Sequence, residues 1–370
     1  MQRSDLGGAP AKGRVLLHIF PSFSYGGQQA RLAMLARGLG PEFRHFIVAL
    51  DGDHSARALF GNESVATFST MQMKKSAGLS LSNIWRLRRI INDAAPDLLC
   101  TYNWGTIEAV IANRTGPKAP HLHHEDGFGP EEAIDRQAGR RVLARRWLLR
   151  NADVVVPSKG LEQLARTQWK LQNVRRIANG VDVDRLQHGQ RGHAAALTIG
   201  SIGALRAEKN YGRLIAAFLT ADRDKVARLE ILGGGPEQER LRALAAGNER
   251  VALPGPTPAP ADAYARFDIF ALSSETEQAP ISLMEAMAAG LPVVATNVGE
   301  IAEMVADENL PFITPLGDDD AYAHALAQLL QNPSARASIG AANKRKAKEM
   351  FTLERMVEAY RGLYHSVIAP

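Results

Sequence analysis

Two glutamates eight positions apart, Glu277 and Glu285, flank a proline-led helix start. An apolar run ends just before Ser273, so Glu277 falls in the loop after a predicted strand. Pro280 suits the first turn of a helix, where its missing N–H is not needed. The next three backbone amides are then free at the helix N-terminus, which favours phosphate groups or hydroxyls. They belong to Ile281, Ser282 and Leu283. The pattern predicts a site where Glu277 contacts one part of a ligand and Glu285 accepts hydrogen bonds from a diol such as ribose.

A second group, Gly200–Asn210, follows another predicted strand and carries two cations, Arg206 and Lys209, after Gly203. Together these cations can neutralise a diphosphate, because arginine offers a forked contact and lysine a point charge. The alternative is a pair of solvated surface cations.

Glycine loops follow two more predicted strands. Gly26 and Gly27 lead into the first helix, and Gly234 lies within Leu232–Pro236. Glycine permits close approach of the backbone to a ligand. Ordinary turns are the alternative interpretation.

The segment His121–Gly129 reads H-L-H-H-E-D-G-F-G. Three histidines and two acids in six positions look like a metal site, but no HExxH pattern or second ligand cluster supports zinc. No metal is therefore expected, and a structural polar loop is the other interpretation.

Strands alternate with helices along the chain, which predicts parallel sheets with helical crossovers. The glycine-containing stretch 179–196 interrupts this alternation and is interpreted as a connection between two doubly wound halves. Ligands of such sheets bind beyond the carboxyl ends of the strands, where the groups above fall.

The composition, 45% hydrophobic and 22% charged, is that of a globular protein, and 370 residues suggest two domains. A single cysteine, Cys100, excludes an internal disulfide framework. No stretch of about 18 apolar residues and no signal-peptide pattern occurs, so a cytoplasmic protein is expected.

Charge is unevenly distributed, since residues 1–180 are net positive and the remainder is net negative, against +5 overall. Within the positive half, residues 135–150 interleave arginines with Val142, Leu143 and Trp147. At helical spacing this is a basic amphipathic helix, which predicts contact between residues 136–150 and an anionic membrane surface. The alternative is that the apolar face covers its own domain.

The stretch from Glu277 to Thr296, with Glu285 and the run E-A-M-A-A-G-L-P-V-V-A-T, resembles the Glu-x7-Glu motif of retaining GT-B glycosyltransferases of family-4 type. Gly200–Asn210 is similar to the strand, glycine, arginine and lysine pattern of that family. Ala204 stands where the arginine often follows the glycine, so Arg206 would reach in from two positions later. Asp126 stands where a histidine often precedes the glycine near the donor sugar.

The resemblance implies a GT-B fold, in which two Rossmann-like domains face each other across a cleft. Residues 1–183 would form the acceptor domain, residues 184–349 the nucleotide-sugar domain, and helix 350–370 would return to the first domain. The implied reaction moves a sugar from a nucleoside-diphosphate sugar, UDP-linked in preference to GDP-linked, to an acceptor hydroxyl with retention. The charge pattern adds the hypothesis of a lipid-linked or glycolipid acceptor at the inner face of the cytoplasmic membrane, in bacterial surface polysaccharide or glycolipid synthesis.

The implied residue roles follow from these motifs. Catalytic contacts with the sugar or the acceptor proton would come from Glu277, Asp126 and His124. Contacts with the donor would come from Gly26, Gly27, Gly203, Arg206, Lys209, Gly234, Pro280, Ile281, Ser282, Leu283 and Glu285. No metal or other cofactor and no nucleic acid is expected.

Two alternatives stay open at this point. A catalytically silent GT-B partner subunit would fit the departures at Ala204 and Asp126. A nicotinamide-dependent oxidoreductase also has paired doubly wound domains, but neither Gly26–Gly27 nor Gly233–Gly235 completes the G-x-G-x-x-G pattern.

Overall fold

The computed structural model describes residues 13–61, 66–69, 73, 79–128, 132, 136–187, 196–222, 224–257 and 259–369. These residues divide into two compact units. One unit runs to Ala178 and takes up the chain again from Met356, and the other is Asn179–Arg355. The limits predicted from the sequence are 183 and 350.

In the described part of the first unit, seven parallel strands form one sheet in the order β3-β2-β1-β4-β5-β6-β7. The strands are β1 (Arg14–Phe20), β2 (Phe43–Ala49), β3 (Ala66–Phe68), β4 (Leu98–Tyr102), β5 (His121–His124), β6 (Asp153–Val156) and β7 (Val174–Arg176). The central strands read as unbroken apolar runs because helices cover both faces of a parallel sheet.

Five helices connect these strands. They are α1 (Gly27–Leu39), α2 (Leu81–Ala94), α3 (Ile107–Arg114), α4 (Gly139–Leu148) and α5 (Lys159–Thr167). Ser80 and Ser158 cap α2 and α5 through their hydroxyls, as short polar residues commonly do. The helix predicted from the basic stretch 135–150 is α4.

In the described part of the second unit, six parallel strands follow the order β10-β9-β8-β11-β12-β13. The strands are β8 (Leu197–Ile202), β9 (Ala227–Leu232), β10 (Val251–Gly255), β11 (Ile269–Leu272), β12 (Val293–Thr296) and β13 (Ile313–Thr314). The helices are α6 (Val183–Gln187), α7 (Tyr211–Ala221), α8 (Gln238–Ala245), α9 (Pro260–Tyr264), α10 (Ile281–Ala288), α11 (Ile301–Met304), α12 (Asp319–Gln331) and α13 (Pro333–Met350). Both units are therefore doubly wound, as predicted.

The last helix, α14 (Leu353–Ile368), completes the core of the first unit. Val357 lies so close to Gly38 that a Cβ there would be 2.5 Å from Cγ2 of Val357. Tyr364 stacks edge-on against Phe43 with ring centroids 5.5 Å apart. None of the described helices is both long and apolar enough to cross a bilayer.

Candidate active site

The side chains of Lys209 and Glu277 meet at the place where the strand order of the second sheet reverses. There β8 lies beside β11, and the loops that follow these two strands carry the two residues. Doubly wound sheets bind ligands at this point. Lys209 Nζ and Glu277 Oε1 form an ion pair, in which the lysine side chain is 24% exposed and that of the glutamate 9%. The positive partner is thus the more accessible to a ligand.

Three contacts fix the loop that carries Glu277. Ser274 Oγ donates a 2.8 Å hydrogen bond to Glu277 Oε1, and Thr296 Oγ1 donates a 2.6 Å bond to the carbonyl of Ser274. Gly299 has a φ of +60°, and a Cβ on it would lie 2.2 Å from the carbonyl oxygen of Glu277. Only glycine lets the loop after β12 support the Glu277 backbone at this distance.

The backbone of Lys209 is held from the same loop. Ser273 Oγ donates a 2.9 Å hydrogen bond to the carbonyl of Lys209, and Arg213 donates a 3.1 Å bond to the carbonyl of Ser273. The next residue, Asn210, has a φ of +43° and caps α7 through its side chain. Lys209 is therefore positioned by a local network that does not depend on its ion pair.

The N-terminus of α10 differs in one amide from the prediction. Pro280 precedes the helix, and within the described residues the amides of Ile281 and Ser282 have no hydrogen-bond acceptor. The Leu283 amide, predicted to be free, instead donates a 3.2 Å hydrogen bond to the carbonyl of Pro280, because the first turn closes in a tight i to i+3 manner. Two amides rather than three are thus available to an anion.

Glu285 lies one turn further along α10 and bonds to Tyr264. Tyr264 Oη donates a 2.8 Å hydrogen bond to Glu285 Oε2, and the carbonyl oxygen of Ser282 lies 3.2 Å from the same hydroxyl. Burial raises the pKa of Glu285 to about 7, although the Tyr264 hydrogen bond and the charge of Arg185 act in the opposite direction. The protonation state of this carboxyl therefore changes near neutral pH.

Arg206 is exposed, and within the described part of the chain its guanidinium has no hydrogen-bond or ion-pair partner. It stands immediately before the short 3-10 turn that contains Lys209. Both predicted cations thus lie in one loop, with one of them paired and the other open to solvent.

The predicted glycines of this unit serve different purposes. A Cβ on Gly203 would lie 2.6 Å from Tyr211 Oη, and a Cβ on Gly233 would lie 1.8 Å from the carbonyl oxygen of Gly203. These two glycines allow the loops after β8 and β9 to pack together. A Cβ on Gly234 would meet only Pro256, at 3.7 Å. At Gly234 an added Cβ would therefore make only ordinary van der Waals contact.

In the first unit, Gly26 and Gly27 lead from β1 into α1. Gly26 is in an extended conformation and precedes the helix without a side-chain cap. Gln29 Nε2 donates a 3.0 Å hydrogen bond to the carbonyl of Ser22, which ties the loop to the first turn of the helix. The helix start is thus braced by Gln29 while Gly27 stays exposed.

Asp126 lies beyond the end of β5 and pairs with the buried Arg31 of α1. Two hydrogen bonds join the side chains, one of them between Arg31 Nη2 and Asp126 Oδ2 at 2.8 Å. The arginine side chain is 4% exposed and that of the aspartate 11%. The Asp126 amide also donates a 2.8 Å bond to Asn103 Oδ1. Asp126 thus neutralises a buried cation, in addition to any catalytic role predicted for it.

The His124 ring is enclosed between two tyrosine rings, Tyr102 at 4.4 Å and Tyr360 at 5.9 Å between centroids. The residue is 1% exposed. Burial and the charge of Arg31 lower the pKa of His124 well below its ordinary value, so the ring is neutral. Neither ring nitrogen has a hydrogen-bond partner among the described residues. The sugar contact predicted for His124 would require this enclosure to open.

Several residues that shape these sites were not found from the sequence. They are Arg31, Asn103, Ser274, Tyr264 and Thr296. Ser274 stands inside the motif itself, and its hydroxyl three positions before Glu277 was the available signal. Tyr264 and Arg31 are distant in sequence from their partners, and nothing in a single sequence marks such pairs.

Comparison with known proteins identifies both halves of the chain. Residues 187–346 match the family described as Glycosyl transferases group 1. Residues 26–180 match the family described as Glycosyl transferase 4-like domain.

Two relatives and one solved structure illustrate the similarity. N-acetyl-alpha-D-glucosaminyl L-malate synthase of Bacillus anthracis is 28% identical over 170 residues, which cover 45% of each chain. D-inositol 3-phosphate glycosyltransferase of Saccharomonospora viridis is 29% identical over 305 residues, which cover 74% of this chain and 70% of the relative. HepE of Anabaena, solved with UDP-glucose, superposes with a TM-score of 0.78 at 17% identity, covering 95% of this chain and all of HepE. The first relative is thus matched over less than half of its length, and HepE shares the fold.

Proposed function

This chain belongs to the group 1 glycosyltransferases, and from that premise we propose that it transfers a sugar from a nucleoside diphosphate to an acceptor hydroxyl with retention of configuration. The observation that carries the proposal is the Lys209–Glu277 pair at the strand-order reversal of a GT-B half. It brings a cation together with a carboxylate that stands four positions before Ile281, the first residue of α10.

In the proposed reaction the bond between the anomeric carbon and the diphosphate breaks while the acceptor oxygen bonds to the same face of that carbon. The acceptor proton passes to the departing diphosphate. Lys209, Arg206 and the amides of Ile281 and Ser282 stabilise the negative charge that develops on the leaving group. Glu277 holds the donor sugar through its hydroxyls, and Glu285 holds the ribose.

Binding of the leaving group by cations and amides is proposed to proceed without a metal. The chain supplies two cations in one loop, which is the charge that a divalent ion would otherwise bring. We expect turnover to be the same with and without EDTA. Loss of activity on chelation, restored by a divalent ion, would contradict this part of the proposal.

The proposed donor is a UDP-sugar, with a GDP-sugar as the second possibility. The crystal structure of HepE, a protein of the same fold, contains UDP-glucose, which supports uridine. Thermal-shift binding of UDP, GDP, ADP and the corresponding UDP- and GDP-sugars would identify the base, since a ligand of the native state raises the melting temperature. No shift with any nucleotide would instead favour a catalytically silent subunit.

The proposed acceptor is a lipid-linked sugar or glycolipid in bacterial surface polysaccharide or glycolipid synthesis, reached at an anionic membrane surface through residues 136–150. The positive charge of residues 1–180 and the composition of α4 support it. The names of the two relatives specify small anionic acceptors, malate and inositol phosphate, for those proteins. Transfer assays with a lipid-linked acceptor and with small anionic acceptors would distinguish the two classes. Only transfer to the lipid-linked acceptor gives a product that partitions into butanol.

A further inference from the structure

Two helices of the first unit expose tryptophan and leucine at consecutive turns. In α2, Leu81 is 84% exposed and Trp85 63%, and in α4, Leu143 is 63% exposed and Trp147 62%. Each pair is four residues apart, so its members lie on one side of their helix. A tryptophan side chain has a large apolar area that is stabilised by burial. Two such rings exposed to solvent therefore indicate a surface that binds a partner.

Both helices lie on the same face of the first sheet. The crossovers from β3 to β4, from β4 to β5 and from β5 to β6 all step in one direction across the sheet. Because such crossovers are right-handed, the helices that make them share one face. The buried clusters support this shared face. Residues of α3 belong to one cluster with Leu87 of α2 and to another with Leu149, which lies just after α4.

The exposed pairs point away from the sheet. Leu87 and Ile91 of α2 are buried, and Trp85 lies on the opposite side of that helix by the helical period. In α4 the buried residue is Arg145, and Leu143 and Trp147 flank the opposite side.

The last residue of α3 and the turn that follows it link the two surfaces. Arg114 donates hydrogen bonds to the carbonyls of Trp147 at 2.8 Å and Leu148 at 2.6 Å, and its guanidinium lies 5.4 Å from the Trp147 ring. Two residues later, a Cβ on Gly116 would lie 2.4 Å from Nε of Arg88 in α2. We call the resulting surface, formed by Leu81, Trp85, Leu143 and Trp147, the tryptophan face.

Exposed arginines lie on, or directly after, the same two helices. They are Arg86, Arg88, Arg89, Arg140, Arg146 and Arg150. The sequence of α4 contains no acidic residue, and the single carboxylate of α2, Asp93, lies 3.7 Å from Arg89. A face of tryptophan and leucine with positive charge at its border fits an anionic partner that is apolar just below its surface.

We propose that the tryptophan face binds the surface of a bilayer containing anionic phospholipid. The two tryptophans and two leucines enter the interfacial layer, where the indole ring is favoured, and the arginines contact headgroup phosphates. The sequence pattern concerned α4 alone, whereas the structure adds α2 as a second anchor of equal exposure. That this brings the enzyme to a lipid-borne acceptor rests on the proposed function, but vesicle binding can be measured without any substrate.

The first experiment is co-sedimentation of the full chain with phosphatidylcholine vesicles, with and without phosphatidylglycerol. We expect binding to the anionic vesicles only, weakened by added salt. Trp85→Ser and Trp147→Ser should each weaken it roughly tenfold, and the double variant more. Leu244→Ser, at a 50% exposed leucine of the second unit, is the matched control and should bind as wild type.

The second experiment measures which tryptophan enters the bilayer. Quenching of fluorescence by brominated lipid is compared in Trp85→Phe, Trp147→Phe and the double variant, because phenylalanine keeps the face apolar. Quenching above the double-variant baseline in both single variants supports two anchors, and quenching only where Trp147 remains would overturn the role of α2. Equal binding to neutral vesicles would overturn the role of anionic lipid, and self-association in sedimentation velocity that Trp147→Ser abolishes would overturn the membrane assignment. A UDP-induced thermal shift that persists in either case would leave the proposed function standing.

Discussion

Tyr264 Oη and Glu285 Oε2 are joined by a 2.8 Å hydrogen bond in the proposed nucleotide site. Burial raises the pKa of Glu285 to about 7, and the Tyr264 hydroxyl, which stabilises the carboxylate, limits that rise. A carboxylate accepts two hydrogen bonds from a diol, whereas the protonated group loses part of that capacity. With Glu285 as the proposed ribose contact, nucleotide binding should therefore depend on pH.

We expect the affinity for UDP-glucose to fall as the pH is lowered through about 7, because Glu285 takes up a proton there. UDP-glucose is the suitable ligand, since its phosphates do not titrate in this range. Isothermal titration between pH 5.5 and 8.5 measures the effect. In Glu285→Gln the dependence should disappear, and a profile unchanged by this substitution would contradict the assignment.

Tyr264→Phe should move the midpoint of that profile to higher pH, because the carboxylate loses a hydrogen-bond donor.

The raised pKa of Glu285 also predicts how stability depends on pH. The folded state holds the Glu285 proton more tightly than the unfolded chain, so the contribution of this group to stability is lost as pH rises from about 4.5 to about 7. Thermal melts of wild type and Glu285→Gln should therefore diverge with rising pH, in favour of the variant.

Lys209→Ala should weaken UDP binding by about tenfold to a hundredfold, because a charge-assisted contact to the diphosphate is lost. The substitution also leaves Glu277 without its cation, which adds repulsion toward the phosphates. Thermal-shift titration with UDP gives the measurement, and Lys348→Ala, at an exposed lysine of α13, is the control. Similar loss in both variants would show that the effect is one of net charge.

Asp126→Asn should destabilise the first unit by about 3–5 kcal/mol, because it leaves the buried Arg31 uncompensated. All four tryptophans, at positions 85, 104, 147 and 169, belong to this unit. Urea unfolding followed by intrinsic fluorescence therefore reports on it alone.

Asp93→Asn provides the comparison, since Asp93 pairs with Arg89 in an exposed position and should cost no more than about 0.5 kcal/mol. If Asp126→Asn is as stable as Asp93→Asn yet inactive, the aspartate acts chiefly in catalysis.

Gly233→Ala should lower the melting temperature of the second unit more than Gly234→Ala does. A Cβ at Gly233 would lie 1.8 Å from a backbone oxygen, whereas one at Gly234 meets only Pro256 at 3.7 Å. Circular-dichroism melts distinguish the two variants. Gly234→Ala should keep its melting temperature while losing UDP affinity, and full affinity in this variant would remove Gly234 from the donor site.

The features best predicted from the sequence are those that depend on residues close together in the chain. The apolar runs Arg14–Phe20 and Asp153–Val156 form strands β1 and β6 over their whole length, because an unbroken apolar run between loop residues has few other solutions. The loop positions of Lys209 and Glu277 followed from strand ends, and the ion pair between them follows from the adjacency of β8 and β11.

The other features of the fold and the site depended on short elements or on contacts between distant residues, which a single sequence does not reveal. The short strands β3, β7 and β13 carry too few residues for a periodic signal. His124 was given a catalytic role as a histidine in a loop after a strand, but the stacking of Tyr360 from α14 encloses it. The free amide predicted at Leu283 depended on the geometry of the first helical turn, which residue types alone do not fix.

The position of α14 has a consequence for the order in which this protein can be made. Val357, Tyr360 and Tyr364 fill the core of the first unit, yet a ribosome reaches them only after it has translated Asn179–Arg355. At roughly 5–20 residues per second, a nascent first unit lacks this layer for about 10 to 35 s. During that interval Phe43 and His124 lack the aromatic rings that α14 packs against them, and by its end the second unit has all of its residues. Maturation of the first unit is thereby tied to completed synthesis of the second.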